Sequence, residues 1–184
     1  MAGLVLVIGC ANLINQSQMV YAQKSLSLGS GGDEIITYNA TSEASQGIQS
    51  ALLWTQEHMP RNATLAVLPE GIMFNYLTRH VNPTPDLVWD PNMLALFGQT
   101  RMTDSIEKNP PDYIFIVERL SAEFGVDYFG SSPDFGLGAM QWIQAHDNTE
   151  VLIGHEPLKN GLFGIKILKR VAEPSAVSEV KGKD

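Results

Sequence analysis

The chain has 184 residues and a mass of 20.2 kDa, enough for one ordinary domain with a full core and short for two. Its 44% hydrophobic content is that of a folded protein, and a formal net charge of -8 argues against a nucleic-acid or anionic-membrane surface, leaving neutral, cationic and sugar-like partners open. Cys10 is the single cysteine, which excludes an internal disulfide and any cysteine-based zinc site.

Residues 1 to 23 carry no charged side chain, and Leu4 to Ile8 form an apolar run ahead of Lys24. Three readings stay open. A complete membrane span needs about 20 apolar residues, so the run is read as the end of a transmembrane helix. Val7-Ile8-Gly9-Cys10 also has the order of a lipoprotein signal, though no basic region precedes it. A buried helix or strand of a soluble domain is the third. The division that follows is an apolar segment over 1–17, one α/β domain over 18–170 and a polar, aperiodic, disordered tail over 171–184.

Within the domain, Gly29 to Asp33 reads as a flexible connector and Glu34 to Tyr38 as a short β-branched strand. Thr41 or Ser42 caps a helix reaching His58, with Ala44, Ile48, Ala51 and Leu52 on one face. Residues 64–68 (TLAVL) are too short and too uniformly apolar for a surface helix and fit a central strand buried on both faces. Two helical turns are predicted over 72–79, then a proline-rich loop, then short helices over 92–97 and 102–108. A second strong strand covers 112–117 (DYIFIV), followed by about twenty irregular residues, a length that usually marks a functional loop. Leu137 to His146 is a helix with Met140, Trp142 and Ile143 toward the core, and 151–154 and 163–168 form an antiparallel pair around Pro157 and Gly161. The pattern predicts an α/β, three-layer-like mixed sheet with flanking helices, its final two strands an antiparallel hairpin.

Ligands of open α/β sheets bind beyond the carboxyl ends of the parallel strands. Both strong strands run into acids there, Glu70 after TLAVL and Glu118 after DYIFIV. Asn75 and Arg79 on the next helix, and Glu123 and Asp134 in the long loop, complete a candidate polar rim. Paired carboxylates serve acid–base work or hold a hard cation. The structural alternative has Glu70 accepting N–H groups at the start of its own helix, with Arg79 pairing it or Glu118. Trp89, between prolines, is the candidate for stacking on a sugar ring. His58 and His146 read as helix C-terminal caps, and no histidine spacing suits a metal. No metal or cofactor is expected, and neither a G-x-S-x-G elbow nor a phosphate-loop lysine occurs.

Taken together, NATLAVLPEGIMFNYLTRHVNPTP, PPDYIFIVER, SAEFG, PDFG, WIQAHDN, IGHEPL and FGIKILKR resemble the soluble C-terminal domain of bacterial polytopic glycosyltransferases of the dolichyl-phosphate-mannose-protein mannosyltransferase-like class. The resemblance spans residues 20–170 and is most specific over 68–83. Where that class suggests Tyr, this chain has Phe124 and Phe135, which favours packing over ligand contact at both. The resemblance implies an accessory domain on the periplasmic side of the bacterial inner membrane, positioning acceptor or capping the membrane catalytic part. Its partners would be the membrane catalytic portion of the same protein and, indirectly, a polyprenyl-phosphate-linked sugar, with no nucleic acid. Two other readings are a free-standing glycoside-acting enzyme using the Glu70/Glu118 carboxylate pair and a purely structural domain.

Overall fold

The computed structural model describes residues 2–171. Apart from Val171, the expected tail lies outside the described residues. The first element is a helix, α1 (Ala2–Ala22), exposed from Gly3 to Ala22. It runs past residue 17 because Gln16, Ser17 and Gln18 are polar without breaking a helix, and strand β1 (Lys24–Leu28) follows after a turn at Gln23. The alternating Lys24-Ser25-Leu26-Ser27-Leu28 pairs antiparallel with β2 (Ile35–Tyr38) in a separate two-stranded sheet. The predicted strand at 34–38 is therefore present, but in a hairpin outside the main sheet.

Helix α2 (Glu43–His58) starts at Ser42, whose side chain accepts from the Ser45 N–H, and buries Ala51, Leu52 and Thr55. The main sheet holds β3 (Leu65–Leu68), β4 (Tyr113–Val117), β5 (Asp147–Gly154) and β6 (Gly164–Arg170) in the order β3-β4-β6-β5. β3 and β4 are parallel; β6 is antiparallel to β5, as the Pro157–Gly161 turn predicts, and it also pairs antiparallel with β4. β3 stands at an edge of the ladder rather than its centre, yet all four residues are buried. The edge is closed by other chain segments: Leu65 N–H donates to Val81 O (3.0 Å), and Asn75 Nδ2 donates to Leu65 O (2.7 Å). β5 begins four residues earlier than predicted because its first half, apart from Asp147, is exposed at the opposite edge and carries no apolar signal.

Helices cover both faces. α2 and α3 (Ile72–Thr78) pack with Leu65, Val67, Phe115 and Ile167 on one side. On the other, α4 (Pro91–Phe97), α5 (Gln99–Lys108) and α6 (Leu137–His146) pack with Ala66, Leu68, Ile114 and Ile116. Opposite faces of one strand thus feed two cores, the direct result of the period-two alternation of Cβ directions. The chain is a mixed α/β fold of three layers. Phe135 does pack, edge-on to Phe129 at 5.6 Å, and Gly136 beside it has φ 77° with the Phe129 ring so close that no Cβ fits.

Candidate functional site

The parallel register pairs Leu65 with Tyr113 and Leu68 with Ile116, so Glu70 and Glu118 occupy equivalent positions two residues beyond the paired ends. Both acids do lie at the carboxyl edge. What holds them differs from expectation. Glu70 makes an ion pair with Arg119 Nε and Glu123 with Arg119 Nη2, while Nη1 of the same guanidinium donates to Leu120 O. One arginine therefore clamps the strand end after β3, the strand end after β4 and the short 3-10 turn at Ala122–Phe124. Glu70 raises the Arg119 pKa still further, with Glu123 adding to it. Glu123 is lowered first by its own backbone N–H and then by Arg119. Arg119 stood in the sequence beside Glu118, and its i,i+4 spacing to Glu123 was the available signal.

Glu118 turns the other way. Its Oε2 accepts the Leu158 N–H at 2.5 Å, and its Oε1 is buried without a hydrogen-bond partner. Leu158 has φ 59°, a left-handed backbone that leucine adopts only when held. Glu118 thus clips the β5–β6 connection to the end of β4. That connection borders a cleft of about 750 Å3 whose polar lining includes Asp127, Tyr128, Gln141, Asp147 and the Glu156–Lys166 ion pair.

Asn75 and Arg79 are not part of this edge. α3 runs back along β3, so each residue beyond Ile72 moves about 1.5 Å away from it. Asn75 instead donates to Leu65 O and His80 O at the start of β3. Arg79, the left-handed C-cap of α3, pairs with Asp33 in the β1–β2 turn and lies 4.7 Å over the Tyr76 ring, while Tyr76 OH donates to Asp33 Oδ1 at 2.6 Å. Tyr76 and Arg79 together hold the Asp33 carboxyl below its usual range. The pairing of Arg79 with Glu70 or Glu118 is corrected accordingly, as is the view of Glu70 as an acceptor at its own helix, where Gly71 is the N-cap.

Asp134 is exposed and joins no ion pair among the described residues. Trp89 is not a stacking platform: it is 1% exposed and packs edge-on to Phe129 at 5.9 Å, with its backbone N–H donating to Pro69 O. An irregular loop can bury its aromatic residue beneath itself, and sequence composition does not reveal that. His58 and His146 cap their helices, with Nδ1 bonded to the carbonyls of Trp54 and Trp142. Asp147, which no motif singled out, has a wholly buried side chain and a carboxyl raised by that burial, against the pull of Arg170 and His146. Chemically the edge is a set of fixed anions around one guanidinium, suited to orienting a polar ligand by hydrogen bonds. Comparison with family models, curated proteins and solved structures returns no match for this chain.

Proposed function

We propose that the chain is an accessory extracytoplasmic domain of a membrane-bound, mannosyltransferase-like glycosyltransferase, lying on the periplasmic side of a bacterial inner membrane. It positions the acceptor or caps the membrane catalytic portion of the same protein, and meets the polyprenyl-phosphate-linked sugar indirectly. The membrane part of this reading is supported by α1: Gly3–Ala22 is a 20-residue span with mean hydropathy 1.3, none of it buried, joined through the single residue Gln23 to the α/β body, while the transferase part rests on the sequence resemblance over residues 20–170. Support for positioning over bond making comes from the edge itself. Glu70 is bound to a guanidinium and Glu118 to a backbone N–H, whereas an acid–base pair needs one carboxyl kept protonated beside its partner.

The test uses bacterial membrane vesicles containing the polypeptide with its membrane portion and measures sugar transfer from a polyprenyl-phosphate donor. Arg119→Ala is expected to raise the acceptor KM roughly tenfold, equivalent to about 1.4 kcal/mol, with protein abundance unchanged. Unaltered kinetics in Arg119→Ala would remove the positioning role, and absence of transfer by the unmodified protein would remove the glycosyltransferase reading.

A further inference from the structure

The place where α1 joins the domain determines which surface faces a membrane that holds it. Lys24, the first residue after the helix and its turn, lies opposite Tyr38 in the hairpin register, and Asn39 N–H donates to Gln23 O at 3.0 Å. Ser45 Oγ in the first turn of α2 donates to Tyr38 O at 3.0 Å, so the junction rests on that turn. Gly47, two residues along the same helix, lies so close to the Phe163 ring that a Cβ would fall 2.7 Å from Cε1. Phe163 precedes β6, whose first residue accepts through Gly164 O from Glu118 N–H at 2.9 Å. Link by link, the exit of α1 is carried to the end of the sheet at which β3 and β4 deliver Glu70 and Glu118.

That same end exposes apolar side chains on three separate connections: Ile72 after β3, Leu120 after β4 (50% exposed) and Leu162 before β6 (44% exposed). Leu120 Cδ2 lies 3.6 Å from the Cβ position of Gly161, so Leu120 and the β5–β6 turn form one surface. Isolated exposed leucines are ordinary; three around the end where a 20-residue apolar helix departs are a pattern. At the junction itself Lys24 Nζ stands 5.0 Å from the centroid of the exposed Tyr21 ring, a tyrosine–lysine pair of the kind that anchors a span at headgroup level.

We propose that the carboxyl edge of the four-stranded sheet rests on the bilayer, with Leu120, Leu162 and Ile72 entering the headgroup–acyl boundary beside α1. This rests on the membrane reading of α1 and adds to it a defined orientation: the Arg119 clamp faces the level at which a lipid-linked sugar sits. Attachment through α1 supplies a high effective concentration at the surface, so shallow contacts suffice without a strong affinity of their own. The occupant is neutral lipid, since a chain of net charge -8 gains nothing from an anionic surface.

The experiment places the whole chain in phosphatidylcholine vesicles. Single cysteines are introduced as Leu120→Cys, Leu162→Cys and Val81→Cys in a Cys10→Ser background and labelled with an environment-sensitive fluorophore. Val81 is the control, an exposed apolar residue (69%) whose carbonyl bonds Leu65 N–H at the opposite end of the sheet. Blue-shifted emission and quenching by headgroup spin-labelled lipid are expected at 120 and 162, with a water-like spectrum at 81. Loss of the chain from the vesicles on carbonate washing would overturn the membrane reading of α1 and this orientation with it. Retention of the chain with 120 and 162 as water-like as 81, or with 81 quenched as strongly as they are, would overturn the orientation alone.

Discussion

Replacing Asp147 by asparagine removes a carboxylate whose side chain is wholly buried and whose two oxygens accept no hydrogen bond. Its cross-strand neighbour Arg170 brings Nη2 to 3.6 Å from Oδ2. Unit charges at that separation attract by about 4–5 kcal/mol at an effective dielectric of about 20, while removing each ion from water costs several kcal/mol. Burial raises the Asp147 carboxyl in spite of Arg170 and His146, so desolvation outweighs attraction here. Asp147→Asn is therefore expected to cost less than about 1 kcal/mol at neutral pH, whereas Arg170→Met, which strands the carboxylate, costs about 3 kcal/mol. The asymmetry arises because Arg170, although its Nε and Nη2 are buried without an acceptor, lies 4.5 Å over the Trp142 ring and keeps 22% of its side chain in water, whereas the Asp147 side chain reaches none.

The pH dependence follows the same sign. The folded chain holds the Asp147 proton more tightly than the unfolded chain, so the stability linked to this group is present below the ordinary carboxylate pKa and is lost as pH rises through the raised folded value. Asp147→Asn abolishes that slope. Urea unfolding of both variants and the parent, at neutral pH and at about pH 4, measures both effects. Equal destabilisation by Asp147→Asn and Arg170→Met at neutral pH would refute the reasoning, because attraction would then exceed the cost of burial.

Three other outcomes are open to measurement. Asn75→Ala withdraws the donor shared by Leu65 O and His80 O and is expected to lower stability by about 1–3 kcal/mol in chemical denaturation, since it ties the first residue of β3 to the loop after α3 through two partly buried bonds; a loss below about 0.5 kcal/mol would mean that water replaces the amide. Gly164→Ala sets a Cβ 1.6 Å from His155 O, so the β5–β6 turn must open at a cost of about 3 kcal/mol or more; an unchanged melting temperature would contradict the tight closure. The lowered Asp33 carboxyl makes the contribution of its cluster present above the ordinary Asp pKa and lost as pH falls through the lowered folded value. In an NMR titration Tyr76→Phe should move the Asp33 midpoint back upward, and an unmoved midpoint would exclude the phenol as its main cause.

Much of the fold was legible because it is written in local rules. TLAVL and DYIFIV are apolar on both faces and became the parallel pair; Ser42 caps α2, and the histidines ending α2 and α6 bond the carbonyls four residues back. Strand β1 and the start of β5 were less legible, since exposed residues leave their period without a strong apolar signal. The candidate site divides on similar lines. That Glu70 and Glu118 share an edge follows from two strands ending in acids. Which arginine meets Glu70 does not.

Arg79 and Arg119 are equally plausible partners by composition, and the choice is decided by direction. α3 returns along β3 and carries Arg79 to Asp33, 46 residues away in the chain, while the turn after β4 leaves Arg119 beside Glu70, 49 residues away. Trp89 was likewise decided by packing, because a loop of prolines says nothing of the phenylalanine that will lie beneath it. The sequence by itself determined the layers, the parallel pair and the acids at its end, all of which depend on the period of apolar residues and on caps within a few positions. Only the tertiary structure decided which charges meet and where α1 leaves the sheet, because those contacts join segments tens of residues apart whose relative placement no local pattern encodes.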